Sequence, residues 1–417
     1  MTLWQYLKSR MQPFANRVAF ARSQITYADI LRLECLPRGK QKLRLCEGNT
    51  REEQALAILR CIAEGDAAVP ITKEYGDTTC AAIQKFVQEN RADTTDLAFV
   101  MFTSGTTGKL KGVMLTHENI CTNLEYIRSY FRLEECKKIC IARPLVHVAV
   151  LVGELLCALC CGVTVHFYEE AFMPKRLIAY CAANDIHVLC GTPTLYRALA
   201  RARTASEFLV KIAVLSGEIL CEQAAREIAA AFPYTRFYNV YGLTEHSPRV
   251  SALLPHEFCV RPHSVGKPIG NVQVRLQDGE LLVKSPCVMK GYLGDEERTR
   301  AKVQDGWLHT GDRAHFDPDG YLYIDGRTDD MIIRGGINVY PEEIEAAACR
   351  HAGVRDCVVN GRESENGTII RLQYEGTIGP NELRKFLLQQ LNPNIVPATI
   401  ERVQTLARTP SGKKVRI

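Results

Sequence analysis

The chain has 417 residues, of which 46% are apolar and 24% charged. These are ordinary proportions for a globular protein of roughly two to four domains, and they exclude a disordered or low-complexity chain. Lys and Arg number 52 against 47 Asp and Glu, a formal charge of +5 with no basic block, so nucleic acid is not an expected partner.

Seventeen cysteines, with no basic-then-apolar leader over residues 1–14, fit buried free thiols in a reducing cytoplasm. Spacing predicts a helix over 52–64 and a short strand over 67–71. The apolar run 97–102 reads as a buried strand. Residues 148–165 are nearly all apolar but carry Glu154. A buried helix and then a strand explain that run better than a membrane span. Cys157 and Cys160 form a Cys-x-x-Cys pair. No second pair stands at zinc-ligand spacing, so no metal or redox role is expected of it.

Further along, helices are expected over 177–184 and 224–232, and strands over 186–190 and 236–240. Helix and strand thus alternate, the pattern of an α/β chain with largely parallel sheets. Beyond about residue 265 the texture becomes strand-rich, with short strands over 272–276, 280–284 and 321–324. A strand over 331–333 precedes a helix starting at Pro341, where Pro and two acids suit the first turn. The last 90 residues or so read as a small α+β domain.

The segment Thr103-Ser104-Gly105-Thr106-Thr107-Gly108-Lys109-Leu110-Lys111-Gly112 follows the buried strand directly. Glycines there let backbone amides turn towards an anion, hydroxyls bond phosphate oxygens, and lysines add charge. Gly105 and Gly108 are too close for a Walker A loop. On chemistry alone, a phosphate loop and a polar surface loop both remain open.

This segment closely resembles the signature loop of the adenylate-forming superfamily, which includes acyl- and aryl-CoA ligases and peptide-synthetase adenylation domains. Four more segments resemble that family's motifs, in its order. In Tyr238-Asn239-Val240-Tyr241-Gly242-Leu243-Thr244-Glu245, the resemblance implies that Tyr241 stacks on adenine, Thr244 binds the α-phosphate and Glu245 holds Mg²⁺, with Asn239 and Gly242 beside the nucleotide. In Trp307-Leu308-His309-Thr310-Gly311-Asp312, Asp312 would bind the ribose hydroxyls. In the run from Gly326 to Glu345, Arg327 would contact ribose, Asp329 would be a hinge, and Gly335 and Gly336 would line the tunnel for the acceptor thiol. In Thr409-Pro410-Ser411-Gly412-Lys413, Lys413 would be the mobile catalytic lysine. Gly217 is placed at the nucleotide by the same alignment.

The implied architecture is a large N-terminal domain of stacked mixed sheets with helices, residues 1–328 and reduced at its start. A small mobile α+β domain, residues 329–417, would follow. The implied reaction joins a carboxylate to ATP as acyl-AMP and then forms a thioester. ATP and Mg²⁺ are required, and coenzyme A or the phosphopantetheine of a carrier protein is the acceptor. His147, Val148, Gly191, Ser216 and His246 would line the acid pocket. Relatives that activate α-amino acids keep an Asp where Val148 stands, and Val cannot pair an ammonium, so an α-amino acid is disfavoured. The small, apolar lining suggests an uncharged aryl or medium aliphatic acid. Alternatives left open are a non-thiol acceptor and a non-catalytic paralogue that binds ATP or acyl-AMP. No membrane is expected, and a homodimer is left open.

Overall fold

The computed structural model describes residues 1–33, 41–89, 92–104, 110–202, 210–334, 337–362, 368–408 and 414–416. Strands among these residues build five sheets. The largest has nine strands. Its inner members Val188–Gly191, Ile212–Leu215 and Arg236–Gly242 run parallel, as do Lys138–Ile141 and Thr164–Phe167. Each of these short apolar strands is covered on both faces, the usual condition for parallel pairing. Arg249–Leu253 adds to one side antiparallel, and Ile25–Thr26 closes the other.

A second sheet orders Gly291–Tyr292, Leu110–Thr116, Leu97–Ser104, Ala67–Pro70 and Leu43–Cys46. A third is antiparallel and strand-rich, built on the long strand Trp307–Phe316 between Glu280–Lys284 and Leu322–Arg327. The predicted α/β class and the change of texture past residue 265 both stand.

Helix starts follow local chemistry. Thr50 caps Arg51–Ala63, its Oγ1 accepting from the Glu53 amide at 3.1 Å. The apolar run 148–160 forms a short helix Val148–Val150, a wide π-type turn over Leu151–Leu156 and a last helical turn Cys157–Cys160. No helix among the described residues is long and apolar enough to cross a membrane. The sixteen described cysteines are free thiols, most of them buried.

Past the hairpin Ile332–Arg334 and Ile337–Val339, the chain buries a separate core that includes Ile344, Leu372, Tyr374 and Leu387. Helices Pro341–Cys349 and Pro380–Gln390 pack there with strands Val354–Arg362, Ile369–Gly376 and Thr399–Arg402.

Candidate active site

Strands Leu97–Ser104 and Leu110–Thr116 form an antiparallel hairpin with Thr103 opposite Lys111. The expected phosphate loop joins these two strands in sequence. Gly105, Thr106, Thr107, Gly108 and Lys109 lie outside the described residues, as does the Ser104 side chain. Thr103 is half-buried. Lys111 turns its ammonium over the Tyr292 ring, 5.9 Å from the centroid.

That ammonium faces a cleft of about 210 Å³ shared with Glu245, Arg298, Lys302, Thr310, Arg327 and Asp329. Glu245 sits in the turn Thr244–His246, just past strand Arg236–Gly242. Its Oε1 accepts from the Tyr292 hydroxyl at 2.8 Å, which orients the carboxylate. Thr244 is half-buried in the same turn. Gly242 answers a close approach, since a Cβ there would lie 1.8 Å from the Pro248 carbonyl oxygen. The Asn239 amide donates to the Ser264 carbonyl at 2.8 Å and is 2% exposed, so it holds the strand in place.

Asp312 and Arg327 lie opposite each other on paired strands, with Arg327 Nε 3.8 Å from Asp312 Oδ1. The Tyr241 hydroxyl donates to the other Asp312 oxygen. Burial pushes the Asp312 carboxyl up, with Arg327 as the leading opposing influence. Burial works against the Arg327 charge, but Asp312 and then Asp329 outweigh it and hold the guanidinium above its ordinary value. Asp329 Oδ2 stands 3.8 Å from Arg327 Nη2 at the start of the C-terminal segment.

Four cations thus face Glu245 and Asp329 across one cleft. This excess suits a polyphosphate. Arg298 and Lys302 escaped sequence reasoning. They stand four apart on the helix Glu296–Lys302 and so share a face. That spacing, just upstream of the Trp307 motif, was the available signal. Burial holds the Lys302 ammonium below the usual lysine range. No group of three metal-ligating side chains exists among the described residues. The oriented Glu245 carboxylate fits Mg²⁺, which takes one or two carboxylates and completes its shell with phosphate and water.

The expected acid-pocket residues gather at the carboxyl ends of the parallel strands. Gly191 ends Val188–Gly191, and Ser216 follows Ile212–Leu215 and donates its amide to the Gly191 carbonyl at 3.0 Å. Gly217 comes next at φ +90°, a conformation that favours glycine. Val148 is buried and His147 half-buried. His246 is wholly buried and both its ring nitrogens are engaged. Nδ1 lies 3.0 Å from the Arg249 carbonyl and Nε2 lies 2.7 Å from the Ser285 hydroxyl. Burial pushes its pKa down to about 4, so the imidazole is neutral. It faces protein on both sides.

Beside these residues lies a buried charged cluster that belongs to none of the sequence motifs. Arg143 Nη2 donates to Glu154 Oε1 at 2.6 Å and to Ser216 Oγ at 3.3 Å, with Arg249 close by. In the C-terminal segment Gly335, Gly336 and Lys413 lie outside the described residues. The described residues just past Lys413 are tied down. Lys414 Nζ bonds Glu345 Oε2 at 3.2 Å and the Cys357 carbonyl at 2.7 Å, and Arg416 bonds Glu345 and Glu342, each at 2.6 Å. Asp356 meets Arg408 of its own segment and Arg197 of the large one, the latter at 3.8 Å.

Residues 20–293 match the family model of the AMP-binding enzymes. The chain is 33% identical over 338 residues to feruloyl-CoA synthase of an Amycolatopsis species, covering 76% of this chain and 68% of that protein. It is 31% identical over 341 residues to the long-chain-fatty-acid–CoA ligase of Salmonella typhimurium, covering 77% and 61%. Its fold is similar to that of o-succinylbenzoate CoA synthetase from Bacillus subtilis in complex with its acyl-adenylate. There the TM-score is 0.82 at 23% identity, covering 100% of this chain and 97% of that one.

Proposed function

The chain belongs to the AMP-binding enzymes, and from that premise we propose that it activates a carboxylic acid with ATP and passes the acyl group to a thiol. The observation that carries this reading is the basic cleft in which Glu245 and Arg327 converge with Lys111 at the base of the phosphate hairpin, with buried Asp312 paired to Arg327. The acid is an aryl or medium aliphatic one, and coenzyme A is the acceptor. The phosphopantetheine of a carrier protein presents the same thiol arm and is the second candidate.

In the first step a carboxylate oxygen attacks the α-phosphorus, and the bond to the β-phosphate breaks. Pyrophosphate leaves with the electron pair. No side-chain base is needed, because a carboxylate is already ionised at neutral pH. Asp312 and Arg327 hold the ribose, and Tyr241 flanks the base. Thr103, Thr244 and Lys111 face the phosphates, with the loop residues Ser104 to Lys109 expected to wrap them. Mg²⁺ on Glu245 would neutralise charge on the phosphate oxygens. Lys413 is the further cation of this step.

In the second step the thiol sulfur attacks the acyl carbon, its proton passes to solvent, and AMP leaves. Lys413 must withdraw first. Residues 329–417 form the mobile domain that makes this exchange about Asp329, bringing Gly335 and Gly336 to the thiol's path. The separate core of that segment supports the division. The test is mass detection of the acyl-CoA after incubation with Mg²⁺-ATP, an aryl or aliphatic acid and coenzyme A. AMP formation without thioester would overturn the acceptor assignment.

A further inference from the structure

We infer that the acid carries a second anionic group, a distal carboxylate, which seats on the buried guanidinium groups of Arg143 and Arg249. This rests on the reading of the chain as an acid-activating enzyme.

Arg143 lies two residues past strand Lys138–Ile141, and Arg249 opens strand Arg249–Leu253. Gly191 and Ser216 mark the same carboxyl edge of the sheet, where open α/β sheets bind their ligands. Arg143 reaches Ser216 directly, with its Nη2 3.3 Å from Oγ. Arg143 therefore borders the place where the acid is expected, and Arg249 stands opposite Gly242 at the same edge of the sheet and beside Glu154.

Their charge is not balanced. Arg143 is 8% exposed, Arg249 3% and Glu154 0%. Glu154 Oε1 is taken by Arg143 at 2.6 Å, and Glu154 Oε2 has no hydrogen-bond partner. Arg249 makes no ion pair among the described residues, and its Nε and that of Arg143 are unpartnered as well. Gly153 makes room for the second guanidinium, since a Cβ there would lie 2.9 Å from Arg249 Nη2. Two fixed cations thus share one carboxylate in the interior.

Arginine cannot shed its proton to escape this. A buried charge without a partner is costly, and a ligand anion is the natural complement. The reacting carboxylate is committed to the α-phosphorus, so the complement is a second one. The apolar residues around Val148 suit the carbon skeleton between the two groups. The resulting substrate class is a dicarboxylic acid, where the lining residues named from the sequence alone pointed to an uncharged one.

The experiment compares matched pairs on the full chain: 4-carboxycinnamate against cinnamate, and adipate against hexanoate. Pyrophosphate release is measured with Mg²⁺-ATP, and each acid is titrated calorimetrically in the presence of AMP. The diacid of at least one pair is expected to be favoured by roughly 100-fold or more in both readouts. Arg249→Met leaves the Arg143–Glu154 pair in place. It should erase that preference and leave AMP affinity unchanged. Equal handling of both members of every pair by the parent protein would overturn the inference, as would an unaltered ratio in Arg249→Met. If Arg249→Met does not fold, the parent's ratio decides. Absence of pyrophosphate release with any acid would sink the activity reading itself. The calorimetric ratio would still decide whether the arginines select a diacid.

Discussion

Asp312→Asn keeps the shape of the side chain and leaves an amide oxygen for the Tyr241 hydroxyl. It removes the charge that faces Arg327 across 3.8 Å. Hydrogen bonds to a charged group contribute about 1.5–3 kcal/mol, against about 0.5–1.5 for neutral pairs. Two ribose hydroxyls on a neutral amide in place of a carboxylate would therefore lose about 2–3 kcal/mol, a roughly 30- to 150-fold weaker Kd for AMP. Stability should move the other way. Burial raises the folded-state pKa of Asp312, so its contribution is present below the unfolded pKa and is lost as pH rises through the folded one. At neutral pH the ionised carboxylate opposes folding, and Asn removes that opposition. Arg327 loses a partner, but its side chain is 45% exposed and water screens it. The expected result is weaker AMP binding by calorimetry with a melting temperature at or above the parent's at pH 7. Unchanged AMP affinity would refute the ribose assignment, and a steep fall in melting temperature would refute the burial argument.

Gly242→Ala places a methyl group 1.8 Å from the Pro248 carbonyl oxygen. A loss of about 3 kcal/mol or more in urea unfolding is expected, and an unshifted midpoint would contradict the packing. Glu154→Ala strands both buried arginines and should cost about 3–5 kcal/mol, read from the same denaturation curve. Burial pushes Asp356 up, but Lys414, Arg197 and Arg408 outweigh it and hold its carboxyl below the usual range. Its stabilisation is therefore present above the unfolded pKa and fades as pH falls through the folded one. Asp356→Asn should be less stable than the parent at pH 7 and equal to it in strong acid, as melting curves across pH will show. Lys413→Ala should abolish adenylation yet spare thioester formation from supplied acyl-AMP, and equal loss of both half-reactions would contradict the exchange of domains.

Much of the fold was legible because alternating helices and short apolar strands leave clear periodic traces. The predicted strands over 97–102 and 280–284 stand in the structure as Leu97–Ser104 and Glu280–Lys284. The π-type turn over Leu151–Leu156 left no trace, because a run apolar on every face carries no period. Glu154 was visible only as an interruption of that run. Its meaning depends on Arg143, and Arg143 in turn meets Ser216 across 73 residues, a pairing that spacing cannot announce. The residues of the basic cleft were more legible, since Lys111, Glu245, Arg327 and Asp329 all lie in motifs quoted from the sequence. His246 was not, because two bonds formed by folding, to Arg249 and Ser285, decide which way its ring is committed.

Acid-dependent release of pyrophosphate from Mg²⁺-ATP by the full chain is the decisive measurement of acid activation. Aryl and aliphatic acids, each with and without a second carboxylate, would be supplied with hydroxylamine as the trap. Release that requires an acid and yields one hydroxamate for each pyrophosphate is the expected result. Folded protein that binds AMP but releases no pyrophosphate with any acid would contradict it.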